Sequence, residues 1–218
     1  MASIPAQLAT QVAEPELQVR DIHLWRGDRH LLRGNSFALR RGELLQVVGP
    51  NGVGKTSLLR CVAGLLPVES GEIEWGGRRL QECRDEFHRQ LAYLAHVNAL
   101  KADLTALENI RYGVGLKRSV VHSELTDVLA KLHVSGCADL PVRSLSAGQK
   151  RRVAIARILL SRATLWILDE PITNLDVAGI ALFESCMAEH LRDGGMILTA
   201  AHQLLLQGRA GVRTMELQ

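Results

Sequence analysis

The chain has 218 residues, room for one large α/β domain, and its 26 Lys and Arg against 23 Asp and Glu leave a formal charge of only +3. So small and dispersed an excess names no nucleic acid and no anionic membrane surface as partner. No run of about 18 apolar residues could span a bilayer, and Met1 to Glu14 lacks the basic start and apolar middle of a secretory signal, so transport could only be done with other subunits.

Residues 1–15, without periodicity, are expected to be a mobile extension. Leu17, Val19, Ile22 and Leu24 alternate toward Trp25, and Phe37 and Leu39 alternate before Arg41-Gly42, which predicts an antiparallel pair of strands. Trp25 closes the first of them. Its ring could stack on a purine or simply be a core or surface Trp.

Leu44, Leu45, Val47 and Val48 read as a buried strand and Ser57 to Ala63 as a helix. Between them lies Gly49-Pro50-Asn51-Gly52-Val53-Gly54-Lys55-Thr56-Ser57, which matches the phosphate-binding pattern G-x-x-x-x-G-K-[ST]. Glycines let backbone N–H groups turn inward around an anion, and the positive end of the following helix points to the same place. Lys55 supplies a point charge for β- and γ-phosphates, and Thr56 a hydroxyl for Mg²⁺. ATP with Mg²⁺ is the expected ligand.

Ile73 and Trp75 then alternate into Gly76-Gly77, a hairpin signal with positive φ, and Leu91 to Ala95 is another short strand ending at His96. Thr105 and Glu108 form a capping box, and Leu125, Val128, Leu129 and Leu132 fall at helical spacing. Residues about 98–143 therefore read as a helical insertion. Strand signals resume at Thr164 to Leu168 and Met196 to Ala200, unbroken apolar runs suited to central parallel strands, with a helix from about Gly179 to Arg192 between them. Cys61, Cys83, Cys137 and Cys186 are scattered, without metal or haem-attachment spacing, and read as free thiols.

The run from Thr164 to Leu168 ends in Asp169-Glu170, adjacent carboxylates that point in different directions at a strand's carboxyl edge. Asp169 suits a Mg²⁺ shell, and Glu170 a water attacking the γ-phosphate. Leu145-Ser146-Ala147-Gly148-Gln149 holds another capping box and a glycine at a helix start, a second phosphate-binding end. One domain does not easily bring that end to its own phosphate loop, which suggests that it faces the nucleotide of a second copy.

These motifs, with Asn174-Leu175-Asp176 and the late His202, occur in an order that resembles the ATP-binding-cassette ATPases over about residues 16–218. The resemblance implies an α/β fold of the P-loop NTPase type, with a mixed sheet core, an antiparallel β subdomain and a helical subdomain inserted at about 98–160. It also implies that Trp25 stacks on adenine, that Ser146, Gly148 and Gln149 complete the partner copy's site, that Asp176 lies at the dimer interface and that His202 contacts the γ-phosphate.

The sequence departs from the family pattern twice. Ala147 stands where the signature usually has Gly, which requires a negative φ, and His96 stands where a glutamine usually joins sheet and insertion. With Leu104 to Asn109, Thr199 to Gln203 and the short chain, these departures resemble the ATP-binding subunits of bacterial cytochrome c maturation haem exporters. That implies integral-membrane partner subunits, a peripheral place on the cytoplasmic face of the inner membrane, and hydrolysis that drives release of a haem-loaded chaperone. No residue here is expected to bind haem directly. A soluble cassette ATPase working on ribosomes or DNA would usually carry two cassettes or long basic insertions, and a switch without turnover would not need Glu170 and His202.

Overall fold

The computed structural model describes residues 16–116 and 118–218; the extension expected over residues 1–15 lies outside them. Two sheets organise the chain. β1 (Leu17–Arg26) and β2 (Arg29–Leu39) pair antiparallel, and β4 (Ser70–Trp75) and β5 (Arg78–Arg79) extend them in the order β2-β1-β4-β5. The imperfect alternation in β1 has a cause, because the pairing with β2 shifts register at Val19/Ile22, Ile22/His23 and Leu24/Trp25. Gly76 and Gly77 turn β4 into β5 with φ of 54° and 73°, the two positive values that a two-residue hairpin of right-handed twist requires.

The second sheet is wholly parallel. β3 (Leu44–Val48), β6 (Leu91–Leu94), β7 (Leu165–Asp169), β8 (Met196–Ala200) and β9 (Val212–Glu216) lie in the order β6-β7-β8-β3-β9. The mixed character expected of the core is thus divided between an antiparallel and a parallel sheet. β7 and β8 are buried at every residue, as interior strands covered on both faces should be.

Alternation along β7 distributes its side chains between two cores. Leu165 and Ile167 join Leu45, Val47 and Leu198 against α1 (Lys55–Val62) and the antiparallel sheet. Trp166 and Leu168 face the other core, shared with α3 (Ala106–Gly115), α4 (His122–Lys131), α5 (Ala147–Leu160) and α6 (Val177–Arg192). Both expected capping boxes form, at Thr105/Glu108 and at Ser146/Gln149. α6 starts two residues before the expected Gly179, because Asp176 caps it by accepting from the Gly179 N–H at 2.9 Å.

One helix escaped the sequence reading. α2 (Arg84–Gln90) is polar apart from Phe87, so it has no apolar periodicity to detect. It is held by that one ring, fully buried and edge-on to Trp75 at 5.3 Å.

Candidate nucleotide site

In a parallel sheet, loops that leave the carboxyl ends of neighbouring strands share one edge. β3 leads into Gly49, β6 toward His96, β7 into Asp169 and Glu170, and β8 toward His202. Four segments far apart in sequence therefore open on one cleft. It is lined by Asn51, Gly52, Gly54, Lys55, Thr56, Ser57, His96, Asp169, Glu170 and His202, to which the structure adds Leu31 and the cations Arg26, Arg29 and Arg60.

Gly49 is required where it stands: its φ is 144°, and a Cβ there would lie 2.6 Å from the Leu217 carbonyl oxygen. Gly54 (φ 120°) precedes α1 without any side-chain cap, so the first N–H groups of that helix face the cleft free to bind an anion. Lys55 folds back over the loop and donates to the Gly49 and Pro50 carbonyls at 2.8 and 3.1 Å. Val53 is buried, and its N–H donates within the loop to the Pro50 carbonyl at 3.4 Å.

Thr56 Oγ1 donates to Asp169 Oδ1 at 3.0 Å. Asp169 is 1% exposed, yet its Oδ2 is buried without a hydrogen-bond partner. A desolvated carboxylate oxygen left unpaired is costly unless a cation meets it. The hydroxyl–carboxylate pair is a hard oxygen donor set of the kind Mg²⁺ takes, so the residues present fit that ion.

Glu170 has a φ of +49°, a left-handed conformation that costs a non-glycine residue roughly 1–3 kcal/mol and persists only where the surroundings impose it. Its N–H donates to the Ala200 carbonyl at 2.8 Å, and its Oε1 lies 3.5 Å from His202 Nε2. Two residues that the sequence reading missed fix this geometry. Gln46, fully buried on β3, donates to the Ala201 and Gln203 carbonyls at 3.2 and 2.9 Å and accepts from the Leu205 N–H at 3.0 Å, so it pins the loop that carries His202. Its signal was a polar residue inside an otherwise apolar central strand. Arg151, 1% exposed, reaches from α5 to the backbone of Asp169, Glu170 and Pro171. Burial pushes its guanidinium down to about 10, against the opposing pull of Asp169 and Glu170, and it stays charged at neutral pH. In the run Lys150-Arg151-Arg152 only helical spacing to the buried Ile155 and Ile158 could have singled it out.

The remaining expected residues lie elsewhere. Trp25, 46% exposed, does not line the cleft but a neighbouring shallow surface with Asp28, His30 and Arg33, to which Arg29 is common. One of its faces is already stacked on His30, with centroids 4.2 Å apart. Ser146, Gly148, Gln149 and Asp176 are also absent from the cleft walls. Ser146 and Gln149 exchange their capping bonds at 3.2 and 2.9 Å, and Asp176 accepts from Arg152 at 2.7 Å. A Cβ on Gly148 would come within 2.9 Å of the Asn174 carbonyl, so this helix start is closely fitted to the Asn174–Asp176 loop. Ala147 opens α5 without a positive φ, so the usual glycine is dispensable there.

Residues 32–173 match the ABC transporter family. The chain is 40% identical over 202 residues to a Vibrio cholerae serotype O1 protein named "Cytochrome c biogenesis ATP-binding export protein CcmA", covering 92% of this chain and 98% of that one. A protein of the same name from Escherichia coli O157:H7 is 42% identical over 201 residues, with 92% and 96% covered. Among solved structures, an ATP-binding subunit of an ABC transporter superposes with a TM-score of 0.78 at 27% identity, covering 86% of this chain and 80% of that one. The cbiO1 protein of Clostridium perfringens, described as part of the ABC transporter complex cbiONQ, gives 0.71 at 25%, with 88% and 80% covered.

Proposed function

The chain belongs to the ABC transporter family as an ATP-hydrolysing subunit, and from that premise we propose how its residues work and which complex it serves. The observation that carries the mechanism is the Thr56–Asp169 pair with its unpartnered Oδ2, set beside Glu170 and His202 at the mouth of the phosphate loop.

In this reading the loop N–H groups from Asn51 to Ser57 and the Lys55 ammonium hold the β- and γ-phosphates, and Thr56 and Asp169 hold Mg²⁺. That ion, when bound, neutralises charge on the β- and γ-oxygens. Glu170 orients the attacking water and accepts its proton, while His202, 3.5 Å from the same carboxylate, contacts the γ-phosphate. His96 lines the same cleft. Trp25 stacks on adenine with the face that His30 leaves free. Because Ser146, Gly148, Gln149 and Asp176 lie off the cleft, they serve the nucleotide of a second copy, so that two ATP molecules are held between two chains.

The complex we propose is that of cytochrome c biogenesis, where hydrolysis drives integral-membrane subunits through a helical subdomain at about 98–160 and releases a haem-loaded chaperone. The support is likeness along 92% of the chain to export proteins of that name. Among the described residues no helix is long and apolar enough to cross a membrane, which fits a peripheral subunit on the cytoplasmic face. The four cysteines are free and buried.

The test uses a tagged Glu170→Gln variant, expected to lose turnover and to hold ATP in a stable dimer. Purified from solubilised native membranes in ATP and Mg²⁺, it should bring cytochrome c maturation membrane subunits with haem absorbance. Recovery of an unrelated permease would discard the haem assignment, and a soluble dimer without membrane partners would discard the transport reading.

A further inference from the structure

We propose that Arg151 is a positioning residue for ATP hydrolysis, which sets the Glu170 carboxylate by gathering the backbone on either side of it onto one guanidinium. This rests on the reading of Glu170 as the group that orients the attacking water.

Arg151 is the largest fully buried side chain among the described residues. A guanidinium has five N–H groups, and here each has its own acceptor. Nε donates to the Pro171 carbonyl at 2.9 Å, one terminal nitrogen to the Asp169 and Glu170 carbonyls at 3.2 and 2.6 Å, and the other to the Ala95 carbonyl and Asn98 Oδ1 at 2.9 and 2.8 Å. The charge has no carboxylate as direct partner. It is solvated by four backbone carbonyls and one side-chain amide oxygen.

Three of those acceptors, on Asp169, Glu170 and Pro171, are consecutive carbonyls. Along an extended strand successive carbonyls point to opposite sides, so one planar group cannot receive three in a row. The chain must reverse its curl between Asp169 and Pro171, and it does so at Glu170, whose φ is +49°. A β-carbon disfavours that conformation, so it needs an external hold. The hold is Arg151 on the carbonyl side and Ala200 on the amide side, the latter accepting from the Glu170 N–H at 2.8 Å. Released from it, Glu170 would relax toward ordinary backbone, and its carboxylate would swing away from His202 and the phosphate loop. The contacts to Ala95 and Asn98 fix the plane of the fork but do not touch Glu170.

Lysine keeps the charge but presents its donors from a single point, so it cannot span the three carbonyls. The experiment compares the full-length wild-type chain with Arg151→Lys, Asn98→Ala and Glu170→Gln. For each it measures ATPase kcat and KM, affinity for a fluorescent ATP analogue, melting temperature, and hydrogen exchange of the Glu170 amide. Arg151→Lys should lower kcat by about 100-fold, since misplacing a reacting group by an ångström or so costs on that order. Its nucleotide affinity should stay within about threefold, because Lys55 and Thr56 do not touch Arg151, and the Glu170 amide should exchange faster while the amides of α1 do not. Asn98→Ala should keep kcat within about threefold of wild type.

A kcat for Arg151→Lys within tenfold of wild type, or nucleotide affinity lost in step with kcat, would overturn the proposal. So would Asn98→Ala as damaging as Arg151→Lys, which would place the effect in the turn after β6. Should Arg151→Lys not fold, Arg151→Gln repeats the test with two donors kept; failure of both to fold would make the residue structural and end the proposal. Glu170→Gln separates the two readings: if it still turns over, the role of Glu170 fails, whereas if it is dead and Arg151→Lys is normal, only the positioning role fails.

Discussion

Thr56 and Asp169, 113 positions apart, meet through a 3.0 Å hydrogen bond that uses one carboxylate oxygen and leaves the other buried without a partner. The phosphate loop and the end of β7 are thus joined, and the unpartnered oxygen is one that a hard cation would fit.

Asp169→Asn should therefore separate stability from catalysis. The amide oxygen can still accept from Thr56, while the uncompensated charge is gone, so in EDTA the melting temperature should be equal or higher than wild type. Without an anionic ligand, the Mg²⁺ concentration giving half-maximal turnover should rise at least about tenfold and maximal turnover should fall on the order of 100-fold. Turnover against Mg²⁺ concentration measures both. An unchanged Mg²⁺ midpoint would remove Asp169 from the metal site.

The off-cleft position of Ser146 and Gly148 predicts complementation between defective chains. Lys55→Ala spoils the phosphate loop and Ser146→Arg the capped helix start, and each variant alone should be inactive. In a mixed dimer, one site joins the sound loop of one chain to the sound helix start of the other, and the opposite site collects both defects. Co-purified mixtures should therefore hydrolyse ATP well above either variant alone. Were each site built within a single chain, every site in the mixture would carry a defect and no activity would return.

Much of this was legible in the sequence because it is local. The phosphate loop with its flanking strand and helix, both capping boxes, the Gly76-Gly77 hairpin and the fully buried β7 and β8 follow from spacing and backbone chemistry over fewer than a dozen residues. Gln46 and Arg151 were not legible in the same way. All their acceptors but Asn98 Oδ1 are main-chain carbonyls on other elements, and a carbonyl leaves no trace in the residue types that surround it. A polar side chain inside an apolar run is visible in the sequence; only the fold shows what it holds. Trp25 stands between these cases, since its place at the end of β1 was readable but its stack on His30 depends on the cross-strand register.

Gln46 supplies a third prediction. Gln46→Leu keeps the volume but leaves two carbonyls and the Leu205 N–H without partners, at a cost of about 1–3 kcal/mol in unfolding free energy. More specifically, the loop with His202 loses its anchor to β3, so kcat should fall by about tenfold or more while ATP affinity holds. In a His202→Ala background the same change should lower kcat little further, because the two substitutions remove one function. Full additivity in that cycle would make Gln46 a packing residue only.

His190 gives a prediction about pH that concerns stability alone. Its ring lies flat on Trp166, with centroids 3.8 Å apart, and its Nε2 is buried without a partner. A side chain on Gly195 would collide with that ring, so the backbone there is shaped around it. Burial lowers the His190 pKa below its ordinary value of 6.5, outweighing the opposing pulls of the Met196 and Thr164 backbone and of Asp193. The unfolded chain then binds the proton more readily than the folded one, so stability rises with pH across the window between the folded and unfolded pKa values. The contribution is fully present above 6.5 and is lost as the pH falls below it. His190→Phe keeps the stack and cannot take up a proton, so its urea midpoint should fall less than that of wild type between pH 7 and pH 5, with the gap between the two constant above pH 7.5. Parallel midpoints across the whole range would show that the ring reaches water in the folded protein.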